Sequence, residues 1–266
     1  MSRKPRVTNP SDPVLWCKEA ACRMESGDTR GAIFCYSESV RIRPDVPDVW
    51  YNLGCLFEKN GETNEALTTH TTAAKLFPAD FRFPAERARL LAESGKYADA
   101  VTTISDALAI SPYSPALLAN KAGYLVFAGD TKGARDTADE ALSIDPACVP
   151  AYLHKAHALI LLGKRDEAKE TLNAGLAAVP DDSRLLKMQA NLYLRCSEYA
   201  AGLSSIEKVL LLTPDDAESW SIKGAACAYL NQKESAVLAF ERAMKLDPKE
   251  KSYRQNRDAV KKGYEK

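Results

Sequence analysis

The sequence predicts an all-α fold in which one helix–turn–helix unit is repeated along the chain. Two columns of residues recur with a period of 34 residues. The first consists of prolines: Pro44, Pro78, Pro112, Pro146, Pro180, Pro214 and Pro248. The second holds only small residues: Ala20, Gly54, Ala88, Ala122, Ala156, Ala190 and Gly224. A fixed period of this length is typical of a repeat array, and small side chains at fixed places let neighbouring helix backbones approach closely.

Each unit is divided in its middle by a residue that ends the first helix. This column reads Gly27, Gly61, Gly95, Gly129, Gly163, Ser197 and Asn231. Glycine ends a helix because it adopts the left-handed backbone conformation at little cost. The recurring proline ends the second helix, since it cannot continue one. A residue such as Asp182 then caps the helix that follows.

Basic and acidic residues are equal in number, 36 of each, but they are unevenly placed. Residues 1–7 and 249–266 are rich in lysine and arginine, so the body between them is mildly acidic. Nucleic-acid binding needs a basic stripe along the binding surface, and this distribution argues against it. No apolar stretch approaches the ~18 residues of a membrane-spanning helix, and the N-terminus lacks the apolar run of a secretory signal. Neither nucleic acid nor membrane is predicted as a partner.

Seven cysteines stand at irregular spacings without a Cys-x-x-Cys motif. This pattern favours free thiols in a reducing compartment, and we predict a cytoplasmic location. A metal site needs clustered ligands at set spacings. His154 and His157 lie one turn apart without an Asp, Glu or Cys in the neighbouring stripes, so neither a metal nor a cofactor is predicted. No nucleophile–base pair, glycine-rich phosphate loop or carboxylate pair stands out, which predicts a protein without enzymatic activity.

The run W-Y-N-L-G-C-L-F at residues 50–57, followed by Ala66, Ala73 and Pro78, closely resembles the tetratricopeptide repeat family. The resemblance covers about residues 13–248 and implies a right-handed superhelical solenoid of seven units. Their expected boundaries are 13–46, 47–80, 81–114, 115–148, 149–182, 183–216 and 217–250. Residues 1–12 are expected to form a flexible basic arm, and residues 251–266 a C-terminal capping helix with a polar outer face. Pro84 replaces an expected aromatic residue, so the first helix of the third unit should begin late.

In this family the first helix of each unit lines a concave groove, and the resemblance extends that expectation to A-Y-L-H-K-A-H-A-L-I-L-L-G-K at residues 151–164. Tyr152, Ala156 and Leu159 fall in the packing columns of the repeat. The other stripe, taken with its equivalents in the flanking units, forms the predicted peptide-binding set: Asn120, Phe127, Leu153, His154, His157, Ile160, Leu161, Lys187, Asn191, Leu194 and Arg195. If a ligand contacts the histidines, protonation near pH 6.5 is expected to tune its affinity.

Some family members hold the C-terminal carboxylate of a peptide with a set of basic residues and asparagines. Lys187 and Asn191 match the first pair of that set, but Ile222 stands where a further asparagine is needed. Binding of that type is therefore not expected.

The sequence thus predicts an adaptor or scaffold that binds an extended or helical segment of a protein partner in its groove. The alternative is a structural protein that self-associates, with the groove filled by its own arm or by a second copy in a homo-oligomer. The partner's identity does not follow from the fold, because arrays of this kind serve unrelated processes.

Overall fold

The computed structural model describes residues 7–263, and within this range fifteen α-helices and no β-strand occur. The predicted fold class is confirmed, since fourteen helices follow one another as seven helix–turn–helix repeats and the fifteenth comes after them. The helices fall into two compact units, which divide between Ala128 and Gly129.

The described part of the first compact unit contains seven helices: α1 (Pro13–Glu25), α2 (Thr29–Ile42), α3 (Pro47–Lys59), α4 (Thr63–Leu76), α5 (Arg82–Glu93), α6 (Tyr97–Ile110) and α7 (Pro115–Ala128). Within the described residues the second unit contains eight: α8 (Thr131–Ile144), α9 (Val149–Leu161), α10 (Arg165–Ala178), α11 (Ser183–Arg195), α12 (Tyr199–Leu212), α13 (Ala217–Tyr229), α14 (Lys233–Leu246) and α15 (Lys251–Lys262).

The turn inside each repeat has the left-handed backbone that the glycine column predicts. All five glycines of that column have a positive φ, from 75° at Gly95 to 90° at Gly129. Ser197 and Asn231 adopt the same conformation, with φ of 63° and 62°, although a residue with a Cβ is less favourable there. The geometry of the repeat therefore determines the turn even where another residue replaces glycine.

The small-residue column is buried along its whole length. Its five alanines have no exposed surface, and its two glycines are buried as well. At both glycines a ring from the following helix occupies the space that a Cβ would need: His70 lies against Gly54, and Phe240 lies against Gly224. Because a protein interior is close-packed, the missing Cβ at these two positions leaves the space that each ring fills.

An aromatic side chain in the first helix of four repeats donates a hydrogen bond to the carbonyl oxygen of a proline six residues earlier. The four bonds, of 2.8–3.1 Å, join Trp16 to Pro10, Trp50 to Pro44, Tyr152 to Pro146 and Trp220 to Pro214. Each bond ties the start of a first helix to the turn before it. The proline column therefore does two things, because it ends one repeat and orients the next.

Pro10 continues the proline column one period towards the N-terminus, so residues 7–12 take the place of a turn between repeats. Val7 packs against the core of the first repeat, and Asp12 caps α1 by accepting a hydrogen bond from the Val14 N–H. The flexible arm stays a prediction for residues 1–6, which lie outside the described residues.

The ends of individual helices follow local sequence. α5 begins at Arg82, one residue later than the equivalent helices, as expected from Pro84. α15 packs against α14 and contains no buried residue; the last three residues of the predicted capping segment, 264–266, lie outside the described range. Every helix within residues 7–263 is too short or too polar to cross a membrane.

His70 is the side chain that fits this fold least well. It has no exposed surface, and neither of its ring nitrogens has a hydrogen-bond partner. Burial lowers the pKa of His70 below its usual 6.5, because the imidazolium form would lose its solvation; Glu86 opposes the shift and Arg89 adds to it. The folded state thus favours neutral histidine, so stability that is present above pH 6.5 falls as the pH drops towards and through the lowered pKa.

Replacing His70 with phenylalanine should remove this acid sensitivity. The variant His70→Phe reproduces the ring that Phe240 already places beside a glycine in the last repeat, and it removes two buried polar atoms. We expect the free energy of unfolding at neutral pH to rise by about 1–3 kcal/mol. Between pH 7.5 and pH 5 the variant should lose less of this free energy than the wild type does. Urea unfolding followed by circular dichroism at both pH values measures this. An equal acid-induced loss in the variant and the wild type would contradict the account.

Candidate functional site

Three first helices of successive repeats, α9, α11 and α13, line a cavity of about 950 Å³ in the second unit. We call it the second-unit cavity, after the second compact unit of the fold. Its lining residues are Leu153, His157, Ile160, Leu161, Ser183, Arg184, Lys187, Met188, Asn191, Leu192, Leu194, Arg195, Thr213, Asp216 and Tyr229. The set mixes aliphatic side chains with three basic groups and one acidic group. Such a composition is common in sites that recognise a ligand.

The two faces of α9 differ as the repeat predicts. Tyr152, Ala156 and Leu159 are buried in the core of the second unit, whereas Leu161 keeps 55% of its surface exposed. Leu153 and Ile160, predicted to lie on the groove stripe, line the cavity and also pack partly against that core. A helix buries a stripe more than 100° wide, so residues at the edge of the stripe contribute to both packing and the cavity wall.

The start of α11 is anchored by an aspartate cap. The Asp182 carboxylate accepts hydrogen bonds from the backbone N–H groups of Arg184 and Leu185. It also forms an ion pair of 2.9 Å with the guanidinium of Arg184. Burial opposes the ionisation of Asp182, but these bonds outweigh it and lower its pKa. The charge of Arg184 is therefore largely balanced within its own helix.

Lys187 faces two carboxylates at the start of α13. Its Nζ lies 2.6 Å from Asp216 Oδ2 and 2.9 Å from Glu218 Oε2. Burial alone would lower the pKa of Lys187, but the two carboxylates raise it, so the ammonium stays charged. Burial opposes ionisation of Asp216 too, yet Lys187 and the Ser219 hydroxyl lower its pKa. This pairing links α11 to α13 and leaves little positive charge for a ligand.

A polar chain behind the cavity holds α11 between its neighbours. The Gln189 side-chain amide donates to Asn173 Oδ1 on α10 at 2.7 Å. The Ser205 hydroxyl on α12 donates to Gln189 Oε1, also at 2.7 Å. Gln189 and Ser205 are buried, and a buried polar network that is satisfied at both ends rigidifies the elements it joins. The wall that α11 forms is thus positioned from behind.

The two histidines of α9 are both half-buried. Burial lowers the pKa of His154, with a smaller contribution from His157. Burial also lowers the pKa of His157, helped by the positive charge of Arg195. Both shifts favour the neutral imidazole. The expected tuning of affinity near pH 6.5 thus moves to a lower pH range.

Tyr229, at the end of α13, forms the far wall of the cavity. Its ring stacks on Tyr199 at the start of α12, with centroids 4.6 Å apart and planes 9° from parallel. The stack leaves 64% of Tyr229 exposed, so one aromatic side chain projects beside Leu194 and Arg195. Aromatic residues held in this way supply contact area with little loss of conformational entropy.

The structure brings together eight of the eleven residues predicted to bind peptide, all of them on α9 and α11. His154 lies on α9 but does not line the cavity. Asn120 and Phe127 belong to α7 in the other compact unit. There Asn120 is exposed, and the ring of Phe127 stacks on Tyr97 at a centroid distance of 5.0 Å.

Some lining residues lay outside the predicted set. Tyr229 follows Arg195 by one period and Leu161 by two. Extending the column of these two residues by one repeat would therefore have found it. Asp216 occupies the cap position that Asp182 holds one repeat earlier. Its pairing with Lys187 depends on side-chain geometry and leaves no signal in the repeat pattern. Ser183, Arg184, Met188, Leu192 and Thr213 complete the additions.

Within residues 7–263 no group of three or more His, Cys, Asp or Glu side chains is arranged to hold a metal ion. Among these described residues no cysteine forms a disulfide, and three of the seven cysteines are buried. The arrangement of the second-unit cavity is suited to non-covalent recognition of an apolar group flanked by polar ones.

Two family models, each described as the tetratricopeptide repeat, match the sequence. One matches residues 125–192, and the other matches residues 51–115 and again 187–251. Together these matches cover well over half of the chain. Among curated proteins, none matches it significantly.

Solved structures share the fold at low sequence identity. A tetratricopeptide repeat protein from Parabacteroides merdae aligns with a TM-score of 0.74 at 21% identity, covering 95% of this chain and 99% of that one. The pilF protein of Pseudomonas aeruginosa gives 0.64 at 18%, covering 79% and 95%. YrrB, described as a repeat protein with an unusual peptide-binding site, gives 0.52 at 17%, covering 71% and 97%. At such identities the likeness shows the fold alone.

The protonation of the two histidines of α9 can be tested directly. We expect the imidazoles of His154 and His157 to titrate with midpoints below 6.5, because both are partly removed from water. Nuclear magnetic resonance of the histidine rings from pH 8 to pH 4.5 gives these midpoints. The variants His154→Gln and His157→Gln assign the signals. A midpoint at or above 6.5 for either residue would contradict the burial described above.

Proposed function

We propose that this chain, which belongs to the tetratricopeptide repeat family, is a non-enzymatic adaptor that binds a peptide segment of a partner protein in the second-unit cavity. The fold supports a role as a protein-interaction scaffold in general. The proposal adds a location for binding, and one observation carries it. Leu161 is more than half exposed at the end of an otherwise packed helix, on the wall of an open cavity.

An exposed leucine becomes informative when its neighbours are similar and the surface is recessed. Leu161 lines the cavity together with Ile160, Leu194 and Tyr229. A contiguous apolar surface rimmed by polar groups is typical of interaction sites. Filling it with the side chain of a partner would remove apolar area from water on both surfaces, which contributes roughly 25 cal/mol per Å².

Polar groups around this apolar surface, which we call the apolar floor of the cavity, support recognition of a peptide. Asn191 on α11 is exposed on the cavity wall, and its amide can both donate to and accept from a peptide backbone. A few placed polar groups fix the orientation of a ligand that apolar contacts hold. The peptide-binding site described for YrrB, a protein of the same fold, makes a peptide a reasonable class of ligand.

The chain's own N-terminal residues fit this cavity poorly as an occupant. Residues 1–6 contain Arg3, Lys4 and Arg6 and no acidic residue. Arg195 on the cavity wall carries the same sign of charge, and like charges in close contact are unfavourable. Charge therefore favours a separate partner over this segment. Seven cysteines without a disulfide among the described residues support the further proposal of a reducing, cytoplasmic location.

The variant Leu161→Asp tests the location of the site. A carboxylate on the apolar floor must lose water when a partner binds, so we expect capture of the partner from a native lysate to fall about tenfold or more. Helix content and melting temperature should stay close to the wild type, because the side chain is 55% exposed. Quantitative mass spectrometry of captured proteins measures the change.

Leu238→Asp provides the matched control. Leu238 lies on α14 in the same unit and is 66% exposed, but it does not line the cavity. We expect this variant to keep the partner at the wild-type level. Equal retention by both variants would contradict the proposed site. Light scattering over a dilution series identifies a second copy as the occupant if the wild type dimerises and Leu161→Asp stays monomeric.

A further inference from the structure

Two arginines occupy a place where two other junctions between repeats carry stacked aromatic rings. Tyr97 stacks with Phe127 in the first unit, and Tyr199 stacks with Tyr229 in the second. Each pair joins the first residue of a second helix to a residue at the end of the next first helix. The same two positions in the fifth and sixth repeats hold Arg165 and Arg195. At this junction a cationic pair thus stands where two other junctions hold an aromatic pair.

The fold places the two arginines at the same edge. Arg165 is the first residue of α10 and Arg195 is the last residue of α11. The two helices pack against each other, and the short connection 179–182 makes them antiparallel. The start of α10 thus lies beside the end of α11, as the equivalent helix ends do at the Tyr199–Tyr229 stack.

Neither guanidinium has a carboxylate partner among the described residues, although acidic residues lie close by in sequence. Those acidic residues are already paired with lysines. Lys169 Nζ lies 2.9 Å from Asp166 Oδ1 and 2.7 Å from Glu198 Oε1. Lys164 Nζ lies 2.8 Å from Glu167 Oε1. Arg165 and Arg195 are both exposed, so two like charges share one edge without a counter-ion from the chain.

We propose that Arg165 and Arg195 form a carboxylate-binding site at the rim of the second-unit cavity, which selects partner segments in which an acidic side chain flanks the apolar anchor. This inference rests on the proposed function, because it names the chemistry of the segment bound there. Arg195 lines the cavity together with Leu161 and Leu194, so one short peptide can reach the apolar floor and the arginine edge at once. Arginine matches a carboxylate through paired N–H donors.

The other basic groups of the cavity are less suited to this role. Lys187 is held by Asp216 and Glu218, and Arg184 is held by its own cap residue. A partner carboxylate would have to compete with these internal partners. The selectivity for acid therefore resides at the Arg165–Arg195 edge, at the end of α11 opposite Lys187 and Arg184.

The repeat itself supplies a conservative test variant. The double substitution Arg165→Tyr with Arg195→Tyr recreates the stacked pair that Tyr199 and Tyr229 form one repeat later, so the fold should be retained. Arg165→Gln with Arg195→Gln serves as a second variant if the first does not fold. Arg242→Gln is the matched charge control. Arg242 is exposed on α14, forms an ion pair of 3.0 Å with Asp215 and does not line the cavity.

The probe is a library of random dodecapeptides displayed on phage and selected on the full chain. Peptides selected by the wild type should be enriched in Asp or Glu close to Leu, Ile or Phe. Selection on the double tyrosine variant should keep the apolar preference and lose the acidic one. For individual selected peptides, replacing the acidic residue with its amide should weaken binding about tenfold to the wild type and less than twofold to the double variant, as measured by fluorescence anisotropy.

The outcomes separate the two proposals. Absence of acidic enrichment, or the same loss on amide replacement for wild type and double variant, would overturn the arginine site. In that case the proposed function would remain intact if Leu161→Asp still abolishes binding of the selected peptides. If Leu161→Asp binds every selected peptide as well as the wild type does, the proposed function fails together with the arginine site. Acid selectivity that Arg242→Gln abolishes would show a general charge effect and also overturn the site.

Discussion

The whole molecule depends on how closely two helix backbones can approach within each repeat. Alanine or glycine stands at one fixed position of every first helix, and the five alanines there have no exposed surface. A larger side chain would separate the helices and disturb the packing of each neighbour in turn, because stability in a repeat protein comes from contacts between adjacent units. At two repeats the ring of His70 or Phe240 lies against this position, and glycine stands there in place of alanine.

Much of the fold was predictable because the period constrains it. The breaks at Ser197 and Asn231 were predicted by position despite the missing glycines, and both have the left-handed backbone. The buried face of α9 followed from its packing columns. The cavity was predicted only in part. Lys187 and Asp216 pair across 29 positions of the sequence, and the double role of Leu153 and Ile160 depends on how wide a stripe the core covers; periodicity specifies neither.

Function in such a chain comes from residues that the repeat does not require. Leu161 stands where the equivalent residues are Phe127, Arg195 and Tyr229, so this column is free to vary without cost to packing. This variation gives the second-unit cavity an aliphatic, a cationic and an aromatic group on the first helices of three successive repeats. His70 shows the opposite case: a polar residue in a packing column has no hydrogen-bond partner for its ring nitrogens, and burial lowers its pKa.

The central claim is that a partner peptide contacts the wall formed by α9 and α11. Methyl-labelled protein titrated with a peptide selected from the displayed library tests it most directly, because each leucine and isoleucine reports on its own surroundings. Shifts concentrated at Ile160, Leu161 and Leu194 are predicted, with Leu211 and Leu238 unchanged although they are 83% and 66% exposed. Shifts at Leu211 or Leu238 without any at Leu161 would contradict the account.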